Sequence, residues 1–356
     1  MSTLVQFIII LILSVSIQAQ TIKTPIGTSI ETSEIEALLE KQMASNRTPG
    51  ASLAIINDGK IVFHTVKGYS APGKEVTKKT IFEGASLSKP LFGFFVMKFV
   101  EKGLLDLDTP LYKYLPYKDI AHDSRYKKIT ARMVLAHKTG FPNWRTDTNS
   151  DTLFLDFEPG TKFQYSGEGY QYLALVLQNI LKTDAKGLER YFHEEVAKPL
   201  GLKTIKYLQD KNNLKNKARA FKDGNWIAHR DFGDTEFGAA YGVHSEANDW
   251  ATWMIALMNK KGLKKDSYLQ LFENQTELPE DNVNRSSGIT YLTLGFYTGV
   301  FPFGNVYGHG GNNNGEFTSL FFFHPTSKWG AVLFTNSSFG EEMGIQLFQY
   351  LLTNGK

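Results

Sequence analysis

The chain has 356 residues and not one cysteine. That excludes disulfides, Cys-ligated zinc, iron–sulfur clusters, a thiol nucleophile and a lipidated N-terminal cysteine together. Any covalent nucleophile is therefore an oxygen or an amine. Charge of one sign is scarce as well: 39 basic against 36 acidic residues leave only +3. No basic field is present to gather nucleic acid, so no nucleic-acid partner is expected. The eight histidines are scattered and no His-Glu-x-x-His occurs, so neither a metal nor an organic cofactor is expected. Phosphate loops and dinucleotide fingerprints are also missing. Gly84-Ala85-Ser86-Leu87-Ser88 lacks the closing glycine of a Gly-x-Ser-x-Gly elbow. What is present is an ordinary globular balance, 42% hydrophobic and 21% charged. It suffices for a large core without staples.

Leu4 to Ile17 is apolar and uncharged, and shorter than the ~20 residues of a membrane span. Small residues at Ser16 to Ala19 mark a secretory leader, residues 1–19, cut after Ala19. Met1-Ser2-Thr3 departs from that pattern in having no Lys or Arg. Export without cysteine suits a bacterial periplasm or exterior, with no stable membrane span after cleavage.

Helical spacing runs through Ser29 to Met43. Ala51 to Ile56 and Ile61 to Val66 flank Asn57-Asp58-Gly59-Lys60, a strong hairpin signal. The middle is mostly helical in period, at Leu91 to Lys102, Tyr170 to Leu181, Leu188 to Val196 and Ala247 to Met258. Lys203 to Asn225 is polar and Lys-rich and reads as a loop excursion. Ile289 to Val300, Glu316 to Phe323 and Trp329 to Thr335 return to strand-like runs, and Gly340 to Leu352 closes the chain as a helix. The expected fold is α+β: an antiparallel sheet flanked by helices, formed by both chain ends, with an all-helical insertion. Residues 20–356 form one functional unit, its sheet lobe at about 28–85 and 285–356 and its helical lobe at about 86–284. A cleft between the lobes is the default site.

Three segments carry chemistry. Ser86 and Lys89 stand three residues apart before an apolar run, Leu91 to Val100, so a helix there places both on nearly one face. A serine needs a base to become a nucleophile, and a lysine amine serves if burial lowers its pKa. Tyr165, in Pro159-Gly160-Thr161-Lys162-Phe163-Gln164-Tyr165-Ser166-Gly167, offers a phenol for proton relay. Tyr307-Gly308-His309-Gly310-Gly311-Asn312 precedes a strand, and its glycines permit close approach of a backbone N–H to an oxyanion.

In this order the segments resemble the serine β-lactamase and penicillin-binding superfamily, in its class C β-lactamase, D,D-peptidase and esterase branch. Gly103 to Pro110 with Tyr114-Leu115-Pro116, Val134 to Pro142, Ala240 to Val243 with Asp249-Trp250-Ala251, Leu294-Gly295-Phe296 and Thr335-Asn336 extend the resemblance collinearly from about 30 to about 350. It implies Ser86 as nucleophile, Lys89 as its activating partner and Tyr165 as general base and then acid. It implies His309 in place of the residue opening the third motif, and an oxyanion hole from the N–H groups of Ser86 and Asn312, beside Gly310 and Gly311. Lys138-Thr139-Gly140 spells that family's third triad but stands between the first and second motifs, the wrong place for the role.

Two departures bear on substrate. Tyr165-Ser166-Gly167 lacks the asparagine of Tyr-x-Asn, and Glu168 is expected to enter that space. His309 is a weaker anion partner than lysine, titrating near pH 6.5. Both favour an ester or small-amide hydrolase, on a small-molecule or peptide substrate, over an antibiotic-destroying enzyme. The rival reading is a D,D-peptidase-like, penicillin-binding or sensor protein that acylates with little turnover.

Overall fold

A computed structural model describes residues 20–148, 152–228 and 235–353; the expected leader lies outside the described residues. A short pair, β1 (Thr21–Lys23) and β2 (Ser29–Glu31), precedes α1 (Thr32–Ser45). β3 (Gly50–Asn57) and β4 (Lys60–Ala71) form the expected hairpin, with β5 (Lys74–Glu75) beside β4. Its turn works because Asp58 and Gly59 both take positive φ, 49° and 72°. β6 (Phe82–Ala85) feeds α2 (Ser88–Glu101), and α3 (Ala131–Leu135), α4 (Gly167–Leu181) and α5 (Ala185–Phe192) follow. Next come α6 (Lys198–Leu200), α7 (Lys211–Asn216), the hairpin of β7 (Phe221–Lys222) and β8 (Asn225–Trp226), β9 (Val243–Ser245), α8 (Ala247–Met258) and α9 (Lys265–Phe272). The chain ends in β10 (Thr276–Glu277), β11 (Ile289–Leu292), β12 (Tyr297–Phe301), β13 (Gly304–Asn313), β14 (Phe317–His324), β15 (Trp329–Thr335) and α10 (Gly340–Leu352).

One nine-stranded antiparallel sheet runs β10-β11-β12-β13-β14-β15-β3-β4-β5. The two chain ends meet where β15 pairs with β3, Val332 opposite Ala54. Both strands are buried along their whole length, as central strands covered on two faces are. On one face Ile35, Leu39 and Met43 of α1 and Leu347, Phe348 and Leu351 of α10 pack on Leu53, Ile55 and Leu333. The helical segments cover the other face, where Trp250 and Trp253 of α8 meet Phe321 edge-on.

α2 is buried on nearly every side, including Phe92, Phe94, Phe95 and Phe99. A helix apolar all round belongs in the interior. Gly295 (φ 96°) lets the Leu294-Gly295-Phe296 turn rest on the first turn of α2, since a Cβ there would stand 3.0 Å from Lys89 O.

Details of the expected layout change. The sheet already begins at Thr276, before residue 285. The span read as all-helical contains β9, which pairs with β6 just ahead of the span, and the β7–β8 hairpin. Lys203 to Asn225 is no continuous loop, because Asp210 caps α7 by accepting from Asn213 N–H at 2.9 Å. Such a cap leaves no apolar period to read.

Candidate active site

Ser86 occupies the turn from β6 into α2. The residue before it, Ala85, takes φ 47°, a strained conformation for a side chain with a Cβ. Ser88 Oγ donates to Ala85 O at 2.6 Å and accepts from Val243 N–H at 2.9 Å. The second serine of the motif thus holds the turn in shape, and Ser86 Oγ is left for Lys89. α2 starts at Ser88, so Lys89 lies in its first turn and only 1% exposed. Its Nζ donates to Ser86 Oγ at 3.0 Å and to Ala240 O at 2.9 Å. Burial holds the Lys89 ammonium well below the usual lysine range. Gln171 fixes that carbonyl by accepting from Ala240 N–H at 3.2 Å.

Tyr165 is presented by the N-terminus of α4. Ser166 caps that helix, accepting from Gly169 N–H at 3.1 Å, and its own N–H donates to His137 Nδ1 at 3.0 Å. The His137 ring stacks on Tyr165 at 4.4 Å, and Lys89 Nζ stands 4.5 Å from the centre of the Tyr165 ring. The phenol is hydrogen-bonded to Ser86; burial, with Tyr297 nearby, pushes its pKa well above the ordinary value. Tyr165 is therefore a phenol at neutral pH, a proton donor rather than a resident anion.

β13 supplies the third wall. β12 pairs with Gly304 to Gly308 only, so His309 to Asn313 keep one strand edge unpaired by β12. That edge runs against the turn that carries Ser86: a Cβ on Gly311 would lie 2.5 Å from Gly84 O and 3.0 Å from Ser86 N. Only glycine fits. Asn312 follows, its side chain turned back to accept from Gly315 N–H at 2.7 Å, and Asn313 Nδ2 donates to Glu83 Oε2 at 2.7 Å. Glu83 also pairs with Lys217 at 2.8 Å, both side chains fully buried.

Ser86, Lys89, Tyr165, Glu168, His309, Gly310, Gly311 and Asn312 all line one cleft of about 1010 Å³. Lys138 does not line it; His309 does, which places Lys138-Thr139-Gly140 outside the third-motif role. Two expectations change. Glu168 does not stand in for the missing asparagine, because its carboxylate accepts from Arg145 Nε at 2.8 Å and Nη2 at 2.9 Å. The space at 167 belongs to Trp144, whose indole would be 2.5 Å from a Cβ on Gly167. Nor does His309 titrate near pH 6.5. It is 2% exposed, and burial, with Lys89 nearby, lowers its pKa to about 3. Its Nδ1 donates to Gly310 O, and its Nε2 is buried with no hydrogen-bond partner among the described residues.

The family model "Beta-lactamase" matches residues 35–353. The chain belongs to the beta-lactamase family. Among relatives of this beta-lactamase-family chain, Protein flp of Staphylococcus aureus (strain MRSA252) is 23% identical over 323 residues, 85% of this chain and 62% of flp. The chain therefore spans less than two thirds of that relative's length. An N-acetylmuramyl-L-alanine amidase of Bacillus subtilis (strain 168) is 28% identical over 236 residues, 58% of this chain and 51% of that protein. Among solved structures, the octameric penicillin-binding protein homologue from Pyrococcus abyssi superposes with TM-score 0.77 at 21% identity, over 92% of this chain and 78% of that one. A class C beta-lactamase gives TM-score 0.76 at 18% identity, over 91% and 96%. These likenesses establish the β-lactamase/transpeptidase-like fold.

Several residues of the cleft were not singled out from sequence. Trp144, Arg145, Gln171, Tyr241 and Tyr297 line it, and Tyr297 packs on His309 at 4.9 Å between ring centres. Of these, Tyr241 had a signal, because it lies within Ala240 to Val243, a segment that carries the resemblance; His137 and Glu83, which support the site without lining the cleft, likewise lie within or beside such segments.

Proposed function

We propose that this chain is a serine hydrolase that works through an acyl-enzyme on Ser86, acting best on esters or amides without a carboxylate near the scissile bond. The observation that carries the reading is Lys89 Nζ at 3.0 Å from Ser86 Oγ, with its ammonium held well below the usual range by burial. A neutral amine takes the Ser86 proton as Oγ bonds to the substrate carbonyl carbon. The N–H groups of Ser86 and Asn312 hold the resulting oxyanion. Tyr165 gives its proton to the leaving oxygen or nitrogen and regains one from the Lys89 ammonium. Water then releases the acyl group by the reverse sequence.

Substrate preference follows from charge. His309 stays neutral, and Arg145 is already engaged by Glu168 and Asp119. Among the described residues no cation in the cleft is left to face a substrate carboxylate, the group that penicillins and D-alanyl peptides carry. Export to a periplasm or exterior, through residues 1–19, belongs to the same proposal, and N-terminal sequencing of secreted protein tests it.

The central test is a panel of a short nitrophenyl ester, a chromogenic cephalosporin and a D-Ala-D-Ala peptide, with Ser86→Ala as control. We expect ester turnover to lead and to vanish in Ser86→Ala, with a fluorophosphonate adduct on Ser86 by mass spectrometry. Undiminished turnover in Ser86→Ala overturns the mechanism. One equivalent of product followed by arrest supports a sensor instead.

A further inference from the structure

The catalytic cleft does not stop at Ser86. It continues over the free edge of β13, at Gly310 and Gly311, onto the opposite face of the sheet, where it forms a trough beside α10. The strand register explains the trough. Gly310 lies opposite Leu320, and Gly299 lies opposite both Val306 and Ile289. Leu320 belongs to the cluster under α10, so Gly310 is on that same face. Where neighbouring strands carry side chains, the floor is partly bare backbone.

One bank is α10, through Ile345, Phe348 and Leu352; the other is the 3-10 turn Val283–Ser287. Large apolar side chains face solvent on both banks, Val283 at 82% and Ile345 at 37% exposure. Among the described residues Glu341 is the one charged group in this limb of the cleft. An anionic tail would meet a carboxylate there and no cation. A single ester group fills little of a cavity of about 1010 Å³, and the apolar limb opens directly off the nucleophile.

We propose that the trough binds an extended, uncharged hydrocarbon tail of the substrate, making medium- to long-chain esters the preferred class. This rests on the acyl-enzyme reading and specifies its substrate. Each methylene moved from water into the trough strengthens binding, so KM falls as the chain lengthens while chemistry at Ser86 is unchanged.

The test uses two ester series below their micellar concentrations, one lengthening the acyl chain and one the alcohol. In at least one series KM should fall roughly tenfold or more from two to eight carbons. Ile345→Arg and Val283→Arg, both at exposed positions, should erase that gain and leave two-carbon turnover within about twofold of the parent. Calorimetry on Ser86→Ala reads binding apart from turnover. The eight-carbon ester should bind roughly tenfold tighter than the two-carbon ester, and lose that margin when Ile345→Arg is added. Equal binding of short and long esters, or a margin that survives both arginines, overturns the trough. Persistent turnover by Ser86→Ala overturns the acyl-enzyme instead, with the calorimetric arm still deciding the trough.

Discussion

Asn313 Nδ2 donates to Glu83 Oε2 across 2.7 Å of buried space. Glu83 stands on β6, three residues before Ser86, and Asn313 on β13, one after Asn312. The bond thus ties together the two segments that carry the proposed oxyanion donors. Ser319 Oγ, on the neighbouring strand β14, also holds β6 by donating to Gly84 O at 2.8 Å.

Loosening that tie should cost rate more than substrate binding. We expect Asn313→Leu to lower kcat about tenfold or more on a neutral ester with KM within about twofold, since oxyanion donors act mainly in the transition state. Affinity for a boronic-acid transition-state analogue should fall in parallel. An unchanged kcat in a folded variant would remove Asn313 from any positioning role.

The Glu83–Lys217 pair beneath it is a stability element. Lys217→Met leaves a buried carboxylate short of its counter-charge, a loss of about 3–5 kcal/mol. Urea unfolding should show it as a lowered midpoint at constant slope.

Gly167 and Trp144 exclude each other's enlargement. Gly167→Asn, which would restore a Tyr-x-Asn triad, drives its Cβ to 2.5 Å from the Trp144 ring and should destabilise by about 1–3 kcal/mol. Adding Trp144→Ala should recover much of that loss. Thermal melts of the two single variants and the double variant decide it; strict additivity would mean that the two positions do not touch.

The pH–rate profile should report Lys89 and not His309. Below its folded pKa Lys89 is protonated and cannot take the serine proton, so kcat/KM rises with pH on an acid limb that Lys89→Arg removes together with activity. His309, near 3, contributes no inflection around pH 6.5. Replacing it by lysine places a cation beside Ser86. His309→Lys should shift the ratio of kcat/KM for carboxylate-bearing over neutral substrates upward about tenfold.

Stability itself should lean toward mild acid through Glu189, half-buried with its Oε2 accepting from Tyr207 and Leu208 N–H at 3.1 Å each. Burial raises its pKa to about 7. Between the ordinary value of 4.5 and about 7 the folded chain keeps a proton that the unfolded chain has lost, so this group's contribution falls as pH rises. Glu189→Gln keeps an acceptor oxygen and cannot ionise. Its melting temperature should depend less on pH than the parent's across that window, and parallel curves would refute the assignment.

Much of this was legible in local pattern. The Asp58-Gly59 hairpin, the helix over Ala247 to Met258, the strand from Trp329 to Thr335 and the closing helix all follow from period and turn chemistry, which act over a few residues. The absence of cysteine left oxygen or amine nucleophiles, and Ser86 three residues before Lys89 supplied a pair, although Ser86 stands in the turn that leads into α2 and not on the helix expected there. The fold class follows too, since strand-like runs stand at both ends and helical ones between.

Tertiary structure decided the rest. The Lys89 pKa is lowered only because the surrounding helices and sheet strip the side chain of water, and His309 is neutral for the same reason; neither burial is a property of its own segment. Trp144 occupies the space at Gly167 through a contact between separate loops. Glu168 is claimed by Arg145, and the path from Ser86 to the α10 trough exists only where β12 stops pairing with β13. Sequence periodicity determines which residues can be helix, strand or turn. Desolvation and the meeting of distant segments, which set pKa, charge pairing and cavity shape, arise only when the chain packs.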